Sequence, residues 1–224
     1  MRLSILVFAV LIGWGVSVRA DRVVVQEIPP GDHGLPGTIV FLCDGSESMR
    51  NMMPTLKDEL GKAIVGLRPV QSFDIIFSQD GKFVDCNRGL RAATPHAKDD
   101  AAAWLKSISA SGKPDFTPAF EMAFKRKPHL IYLVTGVDGL PDPKGVVETI
   151  TRLNKDRKIK INPIMYVKDA SEKEKGESLE PFLKQIADEN GGAFRWVDVD
   201  AIQDPAGPSK SVPASQPTPA QPAR

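Results

Sequence analysis

Apolar runs of strand length alternate with amphipathic stretches of helical spacing along the middle of the chain, and this order restricts the possible folds more than any other feature. Strands are predicted at 38–43, 73–77, 82–86, 129–135, 161–167 and 193–199, and helices at 56–67, 99–108, 117–127, 143–158 and 179–192. Such alternation predicts right-handed crossovers and an α/β fold. We expect a three-layer α-β-α sandwich around a doubly wound, mostly parallel sheet of six strands.

Two details place the strands within this sheet. The runs at 38–43 and 129–135 are almost entirely apolar, so we expect them to be adjacent and central, with both faces covered. The turn sequence Gln79-Asp80-Gly81 separates the second run from the third, which predicts a hairpin and one antiparallel edge strand.

The two ends of the chain differ in composition from the middle. Residues 1–20 combine an early Arg with an apolar run and a small-residue ending, which predicts an export signal cleaved before Asp21; an uncleaved membrane anchor is the alternative. Residues 21–34 are assigned to a linker, 35–200 to one folded domain and 201–224, rich in Pro and Ala, to a disordered tail. We therefore expect an exported protein, in the periplasm, secreted or at the cell surface, attached to a membrane only through an uncleaved N-terminal segment.

Composition and charge limit the kind of partner. The 224 residues, 42% of them hydrophobic and 25% charged, suffice for the core of one ordinary domain. Lys and Arg number 29 against 28 Asp and Glu, so the net charge of +1 provides no broad field for nucleic acid or an anionic membrane. We therefore expect no nucleic-acid partner.

One polar cluster follows the first apolar run, in the stretch TIVFLCDGSESM. Asp44, Ser46 and Ser48 stand at alternate positions, so their oxygens can face one point beyond the carboxyl end of a parallel strand, where ligands of such sheets bind. A hard cation such as Mg²⁺ takes oxygen ligands of this kind. The alternative is structural: the same side chains would bond to their own loop and to the first amides of the following helix.

With this motif the chain resembles the von Willebrand factor type A domain, over about residues 35–200. The resemblance rests on the order of elements, on Asp44-x-Ser46-x-Ser48 and on stretches such as LRPVQSFDIIF and IADENGGAFRWV. It implies that fold and a metal-ion-dependent adhesion site in which three loops hold Mg²⁺ or Mn²⁺. In that family the second loop supplies a Thr, the third supplies an Asp after the fourth strand, and a partner's acidic side chain completes the metal shell.

The sequence departs from that pattern in the second and third loops. The family's Thr falls on Pro114, which has no side-chain oxygen, and its Asp falls on Gly136. The nearest substitutes are Thr117 and Asp138. The candidate metal ligands are thus Asp44, Ser46, Ser48, Thr117 and Asp138, and the candidate ligand-binding residues are Glu47 and Asp115. The departures favour a degenerate site over a functional metal site.

Catalysis is not expected, because the sequence contains no recognisable pattern of catalytic residues. His33, His96 and His129 lack the spacing of a zinc site, and the Asp-x-Ser-x-Ser motif lacks the second glycine of a hydrolase nucleophile elbow. Cys43 and Cys86 fall on strands that another strand separates in the resembled fold. We therefore expect two small buried thiols, with a disulfide as the alternative.

The sequence thus predicts an exported protein-binding module, for adhesion or assembly, that engages its ligand at the loop face around the Asp-x-Ser-x-Ser motif. The alternative is a structural or scaffold domain whose metal site has been lost and which acts through its helical faces or its tail. A metal titration separates the two.

Overall fold

A sheet of seven strands runs through residues 37–203, the part of the chain that the computed structural model describes. The strands are β1 (Thr38–Asp44), β2 (Ser72–Gln79), β3 (Lys82–Asp85), β4 (Arg91–Ala92), β5 (Leu130–Thr135), β6 (Lys160–Val167) and β7 (Arg195–Asp198). The helices are α1 (Met53–Gly66), α2 (Pro95–Ser107), α3 (Thr117–Lys125), α4 (Pro143–Leu153), α5 (Ala170–Gly176), α6 (Glu180–Glu189) and α7 (Val199–Gln203), with a 3₁₀ helix at Glu47–Met49. The predicted α/β class is confirmed.

The strands follow the order β3-β2-β1-β5-β6-β7, and β4 pairs with the first residues of β2 along the same edge as β3. The strands from β2 to β7 in this order run parallel, whereas β3 and β4 run antiparallel to β2. β1 and β5 are adjacent and central, as predicted. The sheet has one strand more than the six predicted, because the two-residue β4 is too short to show a period in the sequence.

Burial explains the central position of β1 and β5. Every residue of β5 and all but the first residue of β1 are buried. Phe41 and Cys43 face the layer that contains α1 and α2, whereas Leu42 faces the layer that contains α3, α4 and α6. Because helices cover both faces, an uninterrupted apolar run is the sequence these strands need.

The hairpin between β2 and β3 turns on two residues, since Gln79 pairs directly with Lys82. Asp80 and Gly81 have φ values of 49° and 67°, in the left-handed region that two-residue hairpin turns use. The predicted hairpin is therefore confirmed, and it supplies the antiparallel edge.

Several helix boundaries differ from the sequence prediction; α2, for example, begins at Pro95 rather than at 99, and α6 ends at Glu189 rather than at 192. α4 ends at Leu153 rather than at 158, because the side chain of Asn154 accepts from the amide of Ile159 (3.1 Å) and donates to its carbonyl (2.7 Å), which turns the chain. α5 and α7 lie outside every predicted helix, since both are too short to show an apolar period. α7 also makes residues 201–203 helical, although the sequence assigned them to the tail.

Both edges of the sheet are short. β3 and β7 have four residues each, and each begins with a basic side chain and ends with an acidic one. The central strands are longer, with six to eight residues. The longest continuous pairing therefore lies in the interior of the sheet.

Several predictions concern the two ends of the chain. The export signal at 1–20, the linker at 21–34 and the tail from residue 204 onward lie outside the described residues, as does His33. Among the helices that the structure describes, none has the length and apolar character needed to cross a bilayer.

Candidate functional site

The Asp-x-Ser-x-Ser motif lies at the carboxyl ends of the parallel strands, at the position where the strand order reverses. From β1 the chain crosses through α1 to β2 on one side, and from β5 it crosses through α4 to β6 on the other. The loops that follow β1 and β5 therefore diverge and leave space between them, which is where open α/β sheets bind ligands.

The polar side chains of the first loop bond within their own loop. Asp44 is the last residue of β1 and is fully buried, and its Oδ1 accepts from the amide of Ser46 at 2.8 Å. The hydroxyls of Ser46 and Ser48 bond to each other at 2.9 Å. α1 begins after Met52, and no side chain caps its first amides. These polar side chains thus bond within their own loop, as the structural alternative expects, but none of them caps α1.

The second carboxylate oxygen of Asp44, Oδ2, is buried and has no hydrogen-bond partner of normal geometry among the described residues. Burial raises the pKa of Asp44, while the amide and hydroxyl of Ser46 and the amide of Gly136 lower it in part and the charge of Asp138 raises it further. A buried carboxylate oxygen without a donor is costly, so this atom marks the site as chemically unusual.

The second loop, residues 109–116, is fastened to the first by backbone hydrogen bonds. The amide of Ser111 donates to the carbonyl of Gly45 at 2.9 Å, and the amide of Glu47 donates to the carbonyl of Gly112 at 3.0 Å. The carbonyl of Asp115 accepts from the buried hydroxyl of Ser78 at 2.5 Å. These bonds hold the ends of β1, β2 and the second loop together.

Two of the predicted site residues occupy the start of α3. Thr117 is exposed at its first position, and its amide donates to Oδ1 of Asp115 at 2.9 Å. Asp115 is exposed as well, whereas Pro114 is partly buried and has no side-chain oxygen. The side chain of Asp115 therefore accepts a hydrogen bond from the first amide of α3 and is also accessible to solvent.

The third loop folds back over Asp44. A Cβ at Gly139 would lie 2.2 Å from Oδ2 of Asp44 and 2.1 Å from Oγ1 of Thr135, so the backbone of Gly139 closes over both side chains. A Cβ at Gly136 would lie 2.8 Å from Sδ of Met49 and 3.1 Å from Cε of Met52, so these two methionine side chains pack against the backbone of Gly136. Asp138 stays exposed at the tip of this turn.

The oxygens brought together fit a divalent cation only in part. Adjacent ligands of octahedral Mg²⁺ lie about 2.1 Å from the ion and so about 3 Å from each other, a separation that Ser46 Oγ and Ser48 Oγ match at 2.9 Å. The buried oxygen of Asp44 lies behind Gly139, and the positions of the family's Thr and Asp hold Pro114 and Gly136. No group of three His, Cys, Asp or Glu suited to a metal is found between residues 37 and 203. The arrangement does not fit a complete octahedral site.

A cleft beside the motif is the part of this face that the sequence reading missed. It has a volume of about 270 Å³ and lies between the starts of α3 and α4. Phe116, Leu140 and Val146 contribute apolar surface, and Thr117 and Asp142 contribute polar groups. The Pro-Asp-Pro sequence at 141–143 was the available signal, because it places an N-cap and a helix start directly after the third loop.

The histidines and cysteines of the described residues do not form a common site. His96 is exposed at the start of α2, and His129 is exposed beside β5, where its Nδ1 bonds to the hydroxyl of Thr38 at 2.7 Å. Cys43 and Cys86 are both free thiols, as expected, but only Cys43 is fully buried and Cys86 is partly buried. Burial raises the pKa of Cys86 to about 12 and that of Cys43 still further. Both thiols therefore stay protonated and unreactive near neutral pH.

Comparison with solved structures agrees with this fold. The chain is similar to a von Willebrand factor type A protein from Catenulispora acidiphila, with 16% identity and a TM-score of 0.57. The similar region covers 75% of this chain and 40% of the Catenulispora protein. It is also similar to proximal thread matrix protein 1 from the mussel byssus, with 17% identity and a TM-score of 0.54. Here the similar region covers 75% of this chain and 44% of the mussel protein. No family model and no curated protein sequence matches the chain. The chain has the von Willebrand factor type A fold and spans less than half the length of these two structures.

Proposed function

We propose that this chain is a protein-binding module that engages its partner at the loop face, defined by the exposed side chains of Glu47, Ser48, Asp115, Thr117 and Asp138. The observation that carries the proposal is the fastening of the first two loops to each other beside an open cleft. Hydrogen bonds between backbones hold the loops in one arrangement, yet these five side chains remain exposed.

A preformed surface of this kind suits protein recognition. Loops that are already ordered lose little conformational freedom when a partner binds, so more of the contact energy appears as affinity. The cleft combines apolar side chains with a few polar groups, which is the usual composition of a recognition pocket. An apolar side chain of the partner, flanked by hydrogen-bonding groups, suits this surface.

Binding at this face proceeds without a divalent cation in our proposal. The backbone of Gly139 covers the carboxylate of Asp44, and Pro114 and Gly136 provide no side-chain oxygen. Ser46 and Ser48 instead bond to each other. The partner therefore contacts Ser48 and the neighbouring carboxylates directly, and it need not supply an acidic side chain for a metal.

The setting of this binding is an extension of the proposal. The apolar N-terminal segment favours export, and the two neighbours of similar fold include a protein described as part of the mussel byssus matrix. Adhesion or assembly outside the cytoplasm is the role that agrees with both observations. The particular partner is to be identified by experiment.

Site-directed photo-cross-linking in the producing cell tests the proposal. A photoreactive phenylalanine analogue replaces Ser48 or Thr117 on the loop face, and Lys158 serves as the control, since it is exposed before β6 at the opposite end of the sheet. We expect both loop-face positions to give an adduct of the same mass, containing the same protein, and Lys158 to give none.

Two results would contradict the proposal in different ways. Equal adducts from Lys158 and from the loop-face positions, or no adduct from either loop-face position, would mean that the partner does not bind there. Loss of the loop-face adducts on addition of chelator would keep the binding face but overturn its independence from metal.

A further inference from the structure

A groove between α1 and α2 forms a second surface, away from the loop face. It has a volume of about 360 Å³. Its lining includes the buried Leu105, the partly buried Gly61 and the exposed side chains of Ala102, Val65, Lys62 and Lys106. Most of the lining is apolar, although the groove is open to solvent.

Two lysines hold the groove open by joining the helices at both ends. Lys57, near the start of α1, donates to the carbonyl of Ile108 just after α2. Lys98, near the start of α2, donates to the carbonyls of Val65 (2.8 Å) and Leu67 (2.5 Å) at the end of α1. Each helix thus satisfies C-terminal carbonyls of the other, and the two helices have fixed ends with an unfilled space between them.

Gly61 creates that space, and nothing within the described chain requires glycine at this position. It lies in the interior of α1 without a positive φ, and apart from its chain neighbours and the backbone of its own helix no atom lies within 4 Å of where its Cβ would be. Glycine is unfavourable in a helix interior compared with alanine. Neither backbone conformation nor internal packing accounts for it, whereas an approaching partner would use the room that it leaves.

The rim adds exposed apolar surface and positive charge. Val65 is 70% exposed, although it is a large apolar residue on a helix. Three lysines and one aspartate line the groove, and the aspartate, Asp58, is paired with Lys62 at 2.5 Å. Lys106 is exposed and makes no ion pair with any residue of the described part. The groove therefore complements a ligand that is apolar and acidic.

We propose that this groove docks a segment of a partner protein that inserts an apolar side chain against Gly61 and Ala102 and places acidic side chains beside Lys106 and Lys57. Insertion removes apolar surface from water on both molecules, and the lysine rim steers and orients an acidic segment. The site is separate from the loop face, so the two surfaces can be occupied by different partners at the same time.

Selection from a phage-displayed library of random peptides on the immobilised full-length chain tests the proposal. We expect the enriched peptides to combine Asp or Glu with a large apolar residue. Gly61→Leu fills the groove and improves helix propensity, so the variant keeps its fold. It should lower the affinity for these peptides by about tenfold or more. Lys106→Glu should also lower the affinity, because it places a negative charge beside the acidic residues of the peptides.

Gly66→Leu is the matched control, because Gly66 also has open space around its Cβ position and lies on the same helix but not in the groove. It should bind the peptides as the wild type does. The proposal is overturned if no peptide is enriched, if the peptides lack acidic residues, or if Gly61→Leu binds them normally. It is also overturned if the wild type is a dimer and Gly61→Leu is a monomer, because a second copy would then occupy the groove. Stronger peptide binding after deletion of residues 204–224 would overturn it as well, because the chain's own tail would then be the occupant.

Discussion

At the scale of single residues, Asp44 has the most demanding environment of the loop face. One of its oxygens accepts from the amide of Ser46, while the other is buried behind Gly139 without a partner among the described residues. The first contact stabilises the loop, and the second costs about 1–3 kcal/mol for an unsatisfied buried group. Asp44 is therefore expected to contribute little net stability.

Asp44→Ala removes the hydrogen bond to Ser46 and the unsatisfied oxygen together, so it should change the free energy of unfolding by less than about 1 kcal/mol. Asp44→Asn keeps an oxygen for the amide of Ser46 and should stay close to the wild type. Thermal melts of all three proteins with millimolar Mg²⁺ or Mn²⁺ and with chelator should show no metal-dependent shift. A metal-dependent rise in the wild type that disappears in Asp44→Ala would establish a functional cation site instead.

Asp74 is a second buried carboxylate, on β2, and it belongs to a small ionic network. Its Oδ1 accepts from the amides of Ile75 (2.9 Å) and Asn87 (3.2 Å), and its Oδ2 accepts from Nε of Arg126 at 3.2 Å. Arg126 also donates to Asp85 at 2.5 Å. Burial raises the pKa of Asp74 to about 6, because the loss of water outweighs the nearby amides and the arginine.

This shift predicts a pH dependence of stability with a definite sign. In the unfolded chain an Asp ionises near pH 3.9, so between about pH 4 and pH 6 the folded protein binds more protons at Asp74. The contribution of Asp74 to stability is present below pH 4 and is lost as the pH rises through about 6, by no more than about 3 kcal/mol. Asp74→Asn should lack this contribution, as urea unfolding at several pH values can measure. Parallel pH profiles for the two proteins would refute it.

At the scale of elements, replacing a glycine by alanine should have opposite effects on stability in α1 and in the turn after β5. Gly139→Ala brings a Cβ against Thr135 and Asp44, both buried, and should lower the free energy of unfolding by about 1–3 kcal/mol. Gly61→Ala meets no neighbour and should raise it by up to about 1 kcal/mol through helix propensity. Chemical denaturation of both variants measures the difference. A stabilised Gly139→Ala would mean that the third loop does not close over Asp44.

The elements also show what the sequence can and cannot predict. Long apolar runs such as 129–135 predict buried strands because both faces need apolar side chains, and the hairpin followed from its turn residues. β4, α5 and α7 are too short to show a period. At the site, the motif predicted which loop would face the strand ends. The closure of Gly139 over Asp44 depends on contacts between distant residues, which no local pattern records.

At the scale of the whole molecule, one prediction concerns the export of the chain. The N-terminal segment predicts export and cleavage after Ala20. Mass spectrometry of the protein recovered outside the cytoplasm should therefore find a chain that begins at Asp21. Recovery of a membrane-bound form that retains residues 1–20 would support the anchor instead.

The short strands at the two edges of the sheet limit how folded molecules of this protein can associate through their sheets. A sheet edge presents unpaired N–H and C=O groups, on which a strand of a neighbouring molecule can grow. β3 and β7 offer only four residues each and carry charged side chains. An added strand would gain few hydrogen bonds there, so concentrated solutions of the folded chain should resist the edge-to-edge addition from which amyloid fibrils develop.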